Sequence, residues 1–240
     1  MRPVEVCMST DDLHLLADNV QVAIQGGAQR IELCSEMHLG GLTPSIEAVQ
    51  LACKTAANKL DVMVMLRPHN RDFHYSAVEL EQMQQQIDFI AEAGANGIVF
   101  GALDLSGSHI DLDATAQVLA ICQRVGMSMT FHRAIDMLSS RGDAIQQLVD
   151  LGIGRVLTSG TPWLSNLGAD KGLPELVQVV EKANNQLEVV IAGNVSHHNA
   201  DLLLEAVNGQ HNNISLHAFS GVHTGQLTDL MKLKALVYGQ

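Results

Sequence analysis

The chain has 240 residues, 47% of them hydrophobic and 17% charged, which is enough apolar material for a full core and excludes general disorder. A net charge of −12 without a block of lysine or arginine, and an aromatic content of 5 Phe, 2 Tyr and 1 Trp, exclude a phosphate-backbone grip and a base-stacking platform. No apolar run approaches the ~18 residues of a membrane span, and the N-terminus lacks a signal-peptide core.

The elements follow one another as strand and helix at intervals of about 30 residues, the length of a βα unit. Strands are predicted from Val4, Arg30, Asp61, Gly97, Ser128, Arg155, Leu187 and Asn213. After the first strand, Leu13, Leu16, Ala17, Val20, Ala23 and Ile24 recur at helical spacing. Thr43-Pro44 reads as an N-cap followed by proline at the first position of the second helix. Leu80, Met83, Ile87, Ile90, Ala91 and Gly94 mark the third helix, and Gly27, Gly94, Gly126 and Gly152 supply helix ends. Ser196 is a cap candidate for the seventh, where Ala200, Leu203, Leu204 and Val207 repeat the pattern. The first strand runs into Cys7-Met8-Ser9-Thr10-Asp11-Asp12, with no glycine-rich phosphate turn. Eight uninterrupted βα units therefore predict a (β/α)8 TIM barrel, one domain over 1–240.

Outward strand positions of such a barrel pack on helices, so the alternation identifies the inward ones. They are Glu5 and Cys7; Arg30, Glu32 and Cys34; Met63, Met65 and Arg67; Ser128, Thr130 and His132; and Ser215 and His217. Arg30 and Arg155 begin strands and are expected to be structural charges at the bottom. Cys7, Glu32, Cys34, Arg67, Asp104, His132, Arg133, Asp136, Ser159, Asn194 and His217 fall toward the C-terminal ends, where sites of this fold lie. A buried network of Glu5 and Glu32 against Arg67 and Arg133 is the structural alternative for part of that charge.

Arg30-Ile31-Glu32-Leu33-Cys34 with Gly40-Gly41-Leu42-Thr43-Pro44-Ser45 resembles the second unit of the CutC family. Thr130-Phe131-His132-Arg133-Ala134-Ile135-Asp136-Met137 resembles its fifth strand, and Arg155-Val156-Leu157-Thr158-Ser159-Gly160 its sixth. Arg67-Pro68, Asp72-Phe73 and Tyr75-Ser76 match the third unit, although His69-Asn70-Arg71 stands where the family usually reads Arg-Gly-Gly. The resemblance implies a cytoplasmic TIM-barrel protein of copper homeostasis that forms a homo-oligomer, and a homodimer is the default assembly at this size.

Two chemistries compete for the mouth. Cu(I) prefers soft thiolates, and Cys7 and Cys34 end adjacent strands on the inward face, level enough to pinch one ion. Cys53 and Cys122 lie within helices and read as packing; the four cysteines contain no CxxC pair and fit a reducing cytoplasm. The alternative is an enzyme acting on a small anionic or phosphorylated metabolite, with Glu32 and His132 as acid–base groups. There Arg67 and Arg133 anchor the anion, with Asp104, Asp136, Ser159, Asn194 and His217 around it. Backbone N–H groups at Ser159-Gly160, Gly193-Asn194 and Ser220-Gly221 are candidate anion donors. His109, His197, His198, His211 and His223 read as surface residues of loops and a helix start.

Overall fold

A computed structural model describes residues 1–207 and 213–239, so His211 lies outside the described residues. Eight parallel strands close in sequence order: β1 (Val4–Ser9), β2 (Arg30–Cys34), β3 (Asp61–Met65), β4 (Gly97–Phe100), β5 (Ser128–Phe131), β6 (Arg155–Thr158), β7 (Glu188–Ile191) and β8 (Ile214–Ala218). Around them run α1 (Leu13–Gly26), α2 (Ile46–Ala56), α3 (Ala77–Glu92), α4 (Leu112–Arg124), α5 (Arg141–Leu151), α6 (Leu173–Ala183), α7 (Ala200–Val207) and α8 (Leu230–Tyr238). This is the expected (β/α)8 barrel. No helix among the described residues is long and apolar enough to cross a membrane.

Strand parity divides the core in two. Val4, Val6, Ile31, Leu33, Val62, Val64, Met129, Phe131 and Leu216 join the large cluster between strands and helices. Cys7, Cys34, Met63, Met65 and Val99 form a separate cluster inside the barrel, and Leu157, Val190 and Ala192 another. The inside is thus short of bulky branched residues and rich in sulfur and polar groups.

At the bottom, Arg30 donates from Nε to Glu5 Oε2 at 3.1 Å and from Nη2 to Glu188 Oε1 at 2.6 Å and Ser215 Oγ at 2.9 Å. Arg155 donates to Thr130 Oγ1 at 3.0 Å. Both arginines therefore tie strand beginnings together. The buried network expected around Glu5 and Glu32 takes different partners from those the sequence suggested. Glu5 meets Arg30 and His217, whereas Arg67 meets carbonyls of the loop after β2 and Arg133 meets Asp136.

Local signals differ at two helix starts. The cap of α2 is Ser45, whose Oγ accepts from the Ala48 N–H. Thr43 instead accepts the Arg67 N–H at 2.8 Å and so fastens the β2 loop to the end of β3. The seventh helix begins at Ala200, after a turn in which Asn199 Oδ1 accepts the Ser196 N–H. His223 departs from its expected exposure. It is buried, with Nδ1 2.7 Å from the Phe219 carbonyl and Nε2 3.2 Å from Thr228 Oγ1, in a hairpin of His223–Thr224 with Leu227–Thr228.

Candidate functional site

The ends of β1, β2, β3 and β8 converge on a cavity of about 180 Å³ at the C-terminal mouth. Its floor is a chain of polar groups. Cys7 Sγ lies 4.0 Å from Cys34 Sγ, and Cys34 Sγ points to Glu32 Oε2 at 3.6 Å. His217 stands between two carboxylates, with Nδ1 2.8 Å from Glu5 Oε1 and Nε2 3.6 Å from Glu32 Oε2.

Burial and mutual charge set the protonation of this chain of groups. The bond to Cys34 and burial raise the Cys7 thiol well above its ordinary range. The bond from Cys7 pulls Cys34 down, but burial and the Glu32 charge outweigh it and hold Cys34 at about 11. Burial lowers His217, yet Glu32 and the bonds to Cys7 and Glu5 outweigh that and raise it well above 6.5. Burial also raises Glu32. Glu5 is raised by burial but brought down to about 2 by the bond and charge of His217 and by Arg30. Near neutrality the floor therefore holds two thiols and an imidazolium facing the Glu5 carboxylate.

The wall is built by β3, β5 and their loops. Arg67 is buried, and its Nη1 donates to the carbonyls of Leu39, Gly40 and Gly41 at 3.3, 3.3 and 3.2 Å. Phe73 lies under Arg67, 5.0 Å from guanidinium carbon to ring centre, and against His132 at 5.0 Å. His132 Nδ1 accepts the Ala134 N–H at 3.2 Å, which leaves the ring proton on Nε2. Burial and the Arg67 charge push His132 down to about 3, so it stays neutral rather than exchanging protons near pH 7.

The sequence-predicted residues divide by position. Cys7, Glu32, Cys34, Arg67, His132, Arg133 and His217 all line the cavity. Asp136 sits behind it: its Oδ2 accepts from Arg133 Nε at 2.8 Å and Ser159 Oγ at 2.8 Å, and Arg141 approaches its Oδ1. Ser159 is buried in that cluster; its N–H donates to Asp136, and the Gly160 N–H to Thr158 Oγ1, so these amides are already occupied. Asp104 belongs to the β4 loop, where it accepts from Ser106 and from the Ser108 N–H, and it borders a neighbouring hollow. Asn194 is exposed beside another. Arg71 reaches Glu79 at 2.6 Å and borders the neighbouring hollow rather than the cavity.

Trp163 and Phe219 also line the cavity and were not among the sequence candidates. Trp163 is the chain's single tryptophan, and Arg133 stacks on it at 5.1 Å. Its position in the long loop after β6 was the available signal. Cys53 and Cys122 lie away from the mouth, in α2 and α4.

The geometry defines a TIM barrel whose mouth joins a thiol pair to an acidic floor and a cationic, aromatic wall. The CutC family model matches residues 3–235. A human protein named copper homeostasis protein cutC homolog is 38% identical over 196 residues, spanning 80% of this chain and 68% of its own length. A CutC family protein of Vibrio vulnificus (strain YJ016) is 38% identical over 202 residues, 84% of this chain and 76% of that one. The chain belongs to the CutC family. The crystal structure of a putative copper homeostasis protein CutC from Streptococcus agalactiae superposes with a TM-score of 0.77 at 28% identity, covering 90% of this chain and 98% of that one. A deoxyribose phosphate aldolase from Aeropyrum pernix, at 13% identity and a TM-score of 0.68 over 99% of this chain and 90% of its own, shares the fold alone.

Proposed function

We propose that this protein serves copper homeostasis by taking up one Cu(I) ion between Cys7 and Cys34. The observation that carries this reading is the 4.0 Å separation of two buried, unbridged sulfurs. Two metal–thiolate bonds of about 2.3 Å each span that gap with little movement of either strand. Two thiolates form a soft donor pair, which favours Cu(I) over harder ions. Glu32 supplies a carboxylate beside them, all three ligand atoms lying within 4.8 Å of one another.

The ion enters as cargo and displaces the two thiol protons, which leave through the chain from Cys7 to Cys34 to Glu32. His217 offsets the negative charge that two thiolates and Glu32 would accumulate. Four unbridged cysteines suit the reducing cytoplasm, and a two-fold homodimer is the assembly we assign. The relatives' names support the copper role.

The test is anaerobic Cu(I) titration of the reduced protein against a chromophoric chelator. The wild type is expected to bind one equivalent, and the double variant Cys7→Ser/Cys34→Ser to bind none. Undiminished stoichiometric binding by the double variant overturns the assignment.

A further inference from the structure

Arg67 is a buried cation with no carboxylate in ion-pair contact among the described residues. Arg30, Arg133 and Arg141 each meet a carboxylate, at 2.6–3.1 Å, 2.8 Å and 3.2 Å respectively. Arg67 is only 4% exposed and meets three carbonyl oxygens, all through Nη1. Its Nε–H is buried and has no acceptor among the described residues. That edge of a guanidinium, Nε with Nη2, is the one that takes a carboxylate by two parallel bonds. Burying a cation without an anion costs several kcal/mol, so the arrangement is incomplete as it stands.

Two more groups on the same cavity share this condition. His132 is 4% exposed, its Nδ1 is committed to the Ala134 N–H, and its Nε2–H has no acceptor among the described residues. Phe73 packs against both Arg67 and His132 at 5.0 Å, so the two idle donors belong to one wall. On the floor, Glu32 is 2% exposed and its Oε1 has no donor among the described residues, although Oε2 faces Cys34 and His217. The three residues that carry these two donors and one acceptor, all nine-tenths buried or more, line one small cavity.

We propose that the mouth binds a small organic carboxylate that also carries a hydroxyl or similar hydrogen-bond donor. The carboxylate sits on Arg67 Nε and His132 Nε2, and the donor group is received by Glu32 Oε1. The cavity's volume of about 180 Å³ suits a ligand of a few carbons. Phe73 and Trp163, 5.3 Å apart, add apolar surface to the lining. This site shares its cavity and Glu32 with the copper reading but needs neither sulfur, so the Cys7→Ser/Cys34→Ser variant separates the two.

Calorimetry and thermal unfolding of the full chain with glycerate test it, against propionate, which lacks the donor, and glycerol, which lacks the charge. Glycerate at 20 mM is expected to bind saturably and raise Tm by roughly 3–6 °C. Propionate should bind at least tenfold more weakly, and glycerol not at all. Arg67→Gln and His132→Leu should each weaken glycerate at least tenfold, while Cys7→Ser/Cys34→Ser retains it. The proposal is overturned if glycerate shows no saturable binding at 20 mM, or if propionate binds equally well. It is overturned equally if both wall variants bind like the wild type, or if inorganic phosphate binds in glycerate's place. The ligand series on the wild type decides the matter even where a variant fails to fold.

Discussion

Cys7 and Cys34 are not register partners, yet their sulfurs lie 4.0 Å apart. The ladder pairs Cys7 with Glu32 and Cys34 with Ser9, one pleat further along the barrel. The tilt and stagger of barrel strands bring two inward side chains of different rows together. Glu32, level with Cys7 and two residues before Cys34, then falls beside both. One shift of register would turn Glu32 outward and break up the thiol pair.

Because both thiols rest protonated, with Cys7 raised and Cys34 at about 11, copper uptake should release two protons. Apparent Cu(I) affinity should then rise with pH, by up to roughly 100-fold per unit between about pH 6 and 8. Chelator competition at several pH values measures this slope. A flat profile would show that the thiolates are not the ligands.

Arg30 is the tie at the barrel bottom, and replacing it by methionine keeps its bulk while removing its charge. The buried Glu5 and the half-buried Glu188 then lose a partner. Breaking such a buried pair from one side costs about 3–5 kcal/mol. Urea unfolding of Arg30→Met should show a loss of that order, and a loss under 1 kcal/mol would mean that the network contributes little.

Period and parity carry most of what was legible in the sequence. Six of the eight strand starts fall on the expected residue, and the last two lie one residue later, at Glu188 and Ile214. Inward parity identified Cys7, Glu32, Cys34, Arg67, His132 and His217, which the cavity brings together. Parity does not carry pairing, however. Glu5 and Arg67 were equally eligible ion-pair partners until the fold placed Glu5 one row down, beside Arg30 and His217. Nor does it carry loop paths, so Asp104, Asn194 and Trp163 were the least legible positions. Asn19 shows the same gap on a helix: a polar residue is buried on the core face of α1 because its side chain holds Gln226 and Thr228 of the β-hairpin.

The two buried histidines should shape the pH dependence of stability in opposite directions. His132, at about 3 when folded, leaves the unfolded chain holding the extra proton below about 6.5. Stability from this group is complete above that pH and is lost as pH falls, by about 2 kcal/mol between pH 6.5 and 5. His217 is raised, so its contribution is complete below about 6.5 and is lost as pH rises through its folded value. Urea midpoints from pH 5 to 9 should show His132→Gln flattening the acid limb and His217→Gln the alkaline limb. The same change on both limbs for both variants would contradict these assignments.

Asp136 supports the wall from behind. It is 1% exposed and accepts from Thr158 Oγ1, the Ser159 N–H, Ser159 Oγ and Arg133 Nε, with Arg141 close by. Asp136→Asn keeps the shape but places an amide donor among donors and removes the charge between two arginines. The expected loss is about 3–5 kcal/mol in urea unfolding, the range for breaking a buried pair from one side. Asp104→Asn, in an exposed loop, should move the midpoint much less. Arg133 would keep its stack on Trp163 but lose its anchor, so tryptophan fluorescence should change in Asp136→Asn under native conditions. Equal midpoints for the two variants would mean that Asp136 contributes little to holding the wall.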